Sequence, residues 1–110
     1  MDIARGGRFM SVPSSYPSSA WYSYDDTTCN YQCMAAEYFY WALTSLLGGQ
    51  EFNGRYEEIR HEWRPNTNVK MHATDKAMSA LLTQSSYTVP TQLPDGSYDA
   101  VVFEVEAINL

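Results

Sequence analysis

The chain has 110 residues, 45% of them apolar and 15% aromatic, and a formal net charge of −6. That is too much apolar material for a disordered chain and enough for one modest core, so a single domain is expected. The acidic balance excludes the basic footprint of a nucleic-acid binder and supplies no polybasic segment for a membrane surface, so a soluble protein with no nucleic acid and no membrane contact is expected.

Residues 1–19 read as a loose N-terminal arm. Gly6-Gly7 breaks any periodicity, residues 8–12 suit a short strand stopped by Pro13, and the Ser/Pro-rich stretch up to Ser19 has turn chemistry. Arg5 and Arg8 precede no apolar stretch, so no signal peptide is visible. Residues 20–110 read as the globular domain. It opens on a strand over 20–24, with Trp21 and Ser23 on one face and Tyr22 and Tyr24 on the other. Asp25-Asp26-Thr27-Thr28 reads as a helix entry, with the cap between Asp26 and Thr28 and the helix starting near Cys29. As calcium ligands, Asp25, Asp26, Thr28 and Asn30 do not reproduce the spacing of an EF-hand loop.

Residues 34–47 form the longest apolar run and predict a central helix, stopped by Gly48-Gly49. Fourteen residues span only about 21 Å, too short for a bilayer core. Glu37, Trp41, Thr44 and Ser45 share one stripe, and the other faces are apolar. A second helix is predicted over 55–63, with Tyr56, Ile59 and Trp63 inward, and residues 64–73 read as a connection. Thr74 or Asp75 caps a third helix over 76–82, with Ala77, Met78, Leu81 and Leu82 inward. Two prolines keep 87–94 extended, Asp95-Gly96 is a turn, and the alternation over 100–110 predicts a half-buried strand. Helices in the middle and strands at both ends predict an α+β fold: about three helices, the aromatic-rich one packed on a short antiparallel sheet.

The groups able to carry chemistry are few. Glu37 interrupts the central helix and needs a cation or several donors if buried; Arg55, Arg60 and Arg64 are the candidate partners, and a general acid/base or ligand role is the functional alternative. Cys29 and Cys33 have the wrong spacing for a CxxC redox motif. They leave open buried thiols, a disulfide closing near a frayed first turn, or a reactive Cys29 at the helix N-terminus. Glu58 and His61 stand at i, i+3 and, with His72, are candidate metal ligands, although a solvated helix face is the favoured account of them. No second motif completes a dinuclear site, so no cofactor is predicted beyond an adventitious or single metal ion.

Nine tyrosines and three tryptophans in so short a chain suit half-buried contact surfaces. The expected function is therefore non-enzymatic: a protein-interaction or assembly domain, with a protein partner or self-association through Trp21, Tyr22 and Tyr24. A small metal-dependent or thiol enzyme using Glu37, Glu58, His61 and Cys29 or Cys33 is the alternative, and a C-terminal piece of a larger protein is the third.

Overall fold

A computed structural model describes residues 1–84, 86 and 88–94. The predicted turn at Asp95-Gly96 and the predicted strand over 100–110 lie outside the described residues. Five helices follow in order: α1 (Asp2–Arg5), α2 (Tyr31–Leu46), α3 (Arg55–Ile59), α4 (Asn68–Thr74) and α5 (Lys76–Leu82). α4 and α5 pack on α2 and on each other. No described helix is long and apolar enough to cross a membrane.

The apolar run forms α2, which starts three residues earlier than its apolar stretch. Asn30 is the cap: its side chain accepts from the Cys33 N–H at 2.9 Å. Asp26 instead folds back on its own loop, accepting from the Thr28 N–H at 3.0 Å and the Thr28 hydroxyl at 2.7 Å. At the other end, Gly48 takes φ +85°. Its N–H reaches Ser45 O at 3.3 Å, and the Gly49 N–H reaches Thr44 O at 2.8 Å. These two bonds satisfy carbonyls the helix would otherwise strand, and the left-handed residue between them has to lack a Cβ.

Met34, Tyr38, Trp41, Ala42, Ser45 and Leu46 form the buried face of α2, at i, i+4, i+7, i+8, i+11 and i+12. Trp41 is therefore inside, while Phe39, expected to be covered, is exposed together with Tyr40. The core is an aromatic stack built on this face. Tyr22 lies against Tyr38 with centroids 5.4 Å apart, Trp41 lies against Trp63 at 6.3 Å, and Trp63 meets Tyr22 and Tyr38 edge-on at 5.9 and 6.0 Å. Ala42, Leu46, Ile59, Met71 and Leu82 close around it. Burying a ring the size of Trp63 contributes roughly 4–6 kcal/mol of transfer free energy. Its indole N–H donates to Ser45 Oγ at 2.9 Å and to Pro65 O at 3.2 Å, whereas the indole N–H of Trp41 is buried without a partner among the described residues.

The α+β expectation is corrected: among the described residues there is no sheet. Two isolated antiparallel bridges, Ser11 with Asn30 and Tyr22 with Trp63, are all the strand pairing present there. The chain bends at Trp21, and within 20–24 Tyr22 alone bridges to an antiparallel neighbour, Trp63. The Ser23 N–H donates to Glu62 O at 2.7 Å and the Arg64 N–H to Trp21 O at 3.1 Å. The pairing goes no further because the groups that would extend it are bonded elsewhere: the Trp21 N–H goes to Ala4 O, and the Asn66 N–H goes to Arg64 O at 2.9 Å. On the other side, the Trp21 and Tyr22 N–H groups share the Ala4 carbonyl at the end of α1, at 2.9 and 3.1 Å. A helix end occupies the edge that a further strand would need.

The second predicted helix is also shorter: α3 stops at Ile59, and Trp63 is delivered to the core by an extended residue. The connection predicted over 64–73 contains α4. Thr67 caps it, its side chain accepting from the Lys70 N–H at 3.1 Å, and Met71 is its buried anchor. Asp75 caps α5 as its position suggests, accepting from the Met78 N–H at 3.2 Å. The inward face of α5 is turned, however. Ser79 and Leu82 are buried, whereas Ala77 and Leu81 are exposed.

The first residues are sewn to the start of α2. Arg5 is fully buried, its Nη1 donating to Phe9 O at 2.8 Å and Nη2 pairing with Asp2 at 3.2 Å. Its guanidinium lies 5.6 Å and 5.1 Å from the Phe9 and Tyr31 ring centroids. Desolvating an arginine is costly unless its donors find acceptors and its planar face finds a ring; here both terminal nitrogens are bonded and the face is covered.

Candidate recognition cleft

One cleft of about 480 Å³ opens between α1 and the start of α5, lined by Asp2, Trp21, Tyr31, Tyr38, Asp75 and Lys76 among others. Its size falls within the range of small-molecule and side-chain pockets. At its floor lies Asp75, only 3% exposed. One carboxylate oxygen accepts from the Tyr38 hydroxyl at 2.5 Å and from the Trp21 indole N–H at 3.1 Å; the other accepts from the Met78 N–H. All three donors are neutral. No Lys, Arg or His among the described residues forms an ion pair with Asp75. The carboxylate is thus positioned and hydrogen-bonded, yet its charge is uncompensated by any described side chain.

Each member is positioned by a different local rule. Asp75 is where it is because α5 needs a cap. Tyr38 sits in the middle of the buried face of α2, and Trp21 is carried by the extended segment that α1 holds in place. At the mouth, Asp2 accepts from the Tyr31 hydroxyl at 2.8 Å. That bond, followed by the one from Arg5, holds the Asp2 carboxyl below the usual range, and the same bond pushes the Tyr31 phenol up. Burial, then the bond to Asp75, pushes the Tyr38 phenol far above the ordinary tyrosine value, so it stays a donor at any physiological pH. Ile3, strongly exposed, adds an apolar rim. The lining is mixed in charge, with Asp75 and Asp2 set against Lys76; the aromatic walls and the two carboxylates suit a cation with an apolar stem.

The residues singled out from the sequence are scattered around this cleft. Trp21 lines it. Tyr22 is entirely buried, its hydroxyl donating to Met34 O at 2.6 Å, and Tyr24 is half-buried against the core, so neither presents a full ring to a partner. Glu37 is half-buried on α2 and pairs with none of Arg55, Arg60 and Arg64. Arg55 instead pairs with Glu58 at 3.0 Å and bonds Gln50 at 2.8 Å, and Arg64 donates to Ser23 at 2.7 Å. Glu58, His61 and His72 are exposed. His61 lines a second, open groove with Tyr16, Asp25 and Arg64. Glu62 beside it is pushed above the usual carboxylate range by burial and by Asp25 and Glu37, with His61 acting the other way, so Glu37 and His61 do share a neighbourhood. Among the described residues no three or more of His, Cys, Asp and Glu come together as ligands for a metal ion. Cys29 and Cys33 are disulfide-bonded, with Cα atoms 5.3 Å apart.

Asp75 and Tyr38 escape sequence reasoning as site residues because each also has a sufficient local role, one as a cap and the other as a core residue. Only the Thr74-Asp75 signal ahead of α5 marks the position, and nothing local indicates that a cap will be buried under two aromatic rings. Comparison of the chain with protein families, with curated proteins and with solved structures finds no match.

Proposed function

We propose that this chain is a non-enzymatic recognition module that binds a partner protein by taking a basic side chain into the cleft over Asp75. The observation that carries the reading is the buried Asp75 carboxylate, held by three neutral donors and opening onto a Trp/Tyr-walled cleft. A lysine ammonium seated there would place its charge against Asp75 and Asp2 and its stem against Trp21 and Ile3. The chain's net charge of −6 steers a basic partner toward it. Enrichment in tyrosine and tryptophan is accounted for in part at the same time: Tyr22, Tyr38, Trp41 and Trp63 build the core, and Trp21 and Tyr31 join Tyr38 in the walls.

The test is an NMR titration that follows the Trp21 indole N–H. The probes are a capped Gly-Lys-Gly-Lys-Gly peptide and the same peptide acetylated on both lysine side chains. The lysine peptide should move the Trp21 resonance, and added salt should weaken its binding. Asp75→Asn, which keeps a capping oxygen, should cost about tenfold in affinity, or about 1.4 kcal/mol. Equal response to the acetylated peptide, or no response at Trp21, would overturn the reading.

A further inference from the structure

We propose that the Cys29–Cys33 disulfide is a redox-active thiol–disulfide site, with Cys33 as the attacking sulfur and Cys29 as the resolving one. This is independent of the cleft over Asp75. The two cysteines occupy different environments. Cys29 precedes the Asn30 cap and is buried, at 3% exposure, whereas Cys33 is exposed in the first turn of α2. A thiol reaching the bond from solvent therefore meets Cys33.

Placement also favours Cys33 as a thiolate. Its side chain lies in the first turn of a sixteen-residue helix with no acidic residue in that turn. Unsatisfied N–H groups and the helix dipole at this end stabilise a sulfur anion. Arg5 and Arg8 stand over the ring of Tyr31, the first residue of the helix, and add positive charge at that end. Of the acids nearby, Asp2 is engaged by Tyr31 and Arg5 and Asp26 by Thr28, while Glu37, one turn further along α2, is half-buried and opposes the thiolate. The bond closes a loop only four residues in sequence separation, the case in which a disulfide removes least entropy from the unfolded chain. A bond that contributes little to folding and leaves behind a stabilised thiolate is one that exchanges readily.

The exchange balances without a metal or cofactor. A glutathione-type thiolate attacks Cys33 Sγ, the bond to Cys29 Sγ breaks, and that sulfur keeps the electron pair and takes a proton. A second thiol attacks the outer sulfur of the mixed disulfide and releases Cys33 as a thiolate. Two external thiols are oxidised to a disulfide and the protein disulfide is reduced. In reverse, the Cys33 thiolate opens an accessible disulfide on a small molecule or an extended peptide, and Cys29 resolves the mixed disulfide, releasing the second substrate thiol.

The experiment equilibrates the folded, oxidised full-length chain in glutathione buffers of varied ratio, quenches with acid and reads the thiol count by mass spectrometry. Reduction should proceed in the folded chain, with its far-UV circular dichroism retained. Single variants identify the attacking sulfur. Cys29→Ser, which leaves Cys33 free, should form a mixed disulfide with oxidised glutathione about tenfold or more faster than Cys33→Ser, which leaves the buried Cys29. If the bond resists glutathione until denaturant is added, or if Cys29 reacts as fast as Cys33, the proposal is overturned. The equilibrium on the unaltered chain decides the matter even if a variant does not fold.

Discussion

Replacing Tyr38 with Phe removes one oxygen and nothing else from the group of donors that holds Asp75. The ring keeps its stack on Tyr22, but Asp75 loses the nearest of its three donors. Trp21 and the Met78 N–H remain, at 3.1 and 3.2 Å, so the carboxylate stays bonded on both oxygens. A hydrogen bond to a charged acceptor contributes about 1.5–3 kcal/mol, more than a neutral pair, so the variant should lose about 2 kcal/mol. With a urea m-value of about 2 kcal/mol/M, the midpoint should fall by about 1 M without a change in slope. Urea unfolding followed by tryptophan fluorescence and by far-UV circular dichroism measures it. A cycle with Asp75→Asn should return a coupling of about 1 kcal/mol or more, because the two groups touch. If Tyr38→Phe stays within about 0.5 kcal/mol of the parent, the ordinary range for surface changes, Asp75 is not held by this hydroxyl and the cleft is not pre-organised as described.

High pH should destabilise the protein through the same ring and its neighbour. Burial raises the phenols of both Tyr22 and Tyr38, so their stabilisation is complete below the unfolded tyrosine pKa of about 10 and is lost above it, at about 1.4 kcal/mol per pH unit for each ring. Spectrophotometric titration should find these two tyrosines ionising only as the protein unfolds; early ionisation of all nine would contradict their burial. Thr67→Ala should cost about 1 kcal/mol in urea unfolding by uncapping α4, and no loss would mean that tertiary contacts alone hold this helix. Gly48→Ala places a Cβ on a residue with φ +85° and should lower stability by about 1–2 kcal/mol, read as a drop in melting temperature. Ser45→Ala takes one of the two acceptors from the buried Trp63 N–H and leaves Pro65 O, so a loss of about 1 kcal/mol is expected.

Several of these elements are legible in the sequence because their causes are local. The Met34-to-Leu47 run contains good helix formers and ends on two glycines, and α2 runs through it and stops just short of them. Asp75 ahead of a short apolar stretch reads as a cap and is one. Other elements are decided by contacts distant in the chain. Residues 20–24 have strand chemistry, but whether they enter a sheet depends on what lies beside them: the end of α1, which takes the Trp21 and Tyr22 N–H groups, and the 62–64 segment, which pairs through a single bridge. Periodicity puts Trp41 on the stripe with Glu37, Thr44 and Ser45 and Phe39 on an apolar face, but stacking on Trp63 brings Trp41 inside and leaves Phe39 exposed. Four polar residues in a row ahead of Cys29 offer equivalent caps and would draw both cysteines into the helix, yet Asn30, backed by its bridge to Ser11, is the cap instead. The cleft lies furthest beyond the sequence, since Asp2, Trp21, Tyr38 and Asp75 come from four separate segments and each has a sufficient local reason to be where it is. Composition, caps and stops therefore mark the α2 run with its glycine stop and the Asp75 start of α5, because those free energies are settled within a few residues, but they do not mark α1 or α4. Burial, facing and the charge left over at Asp75 are decided only by tertiary packing, because they depend on which side chains the folded chain brings together.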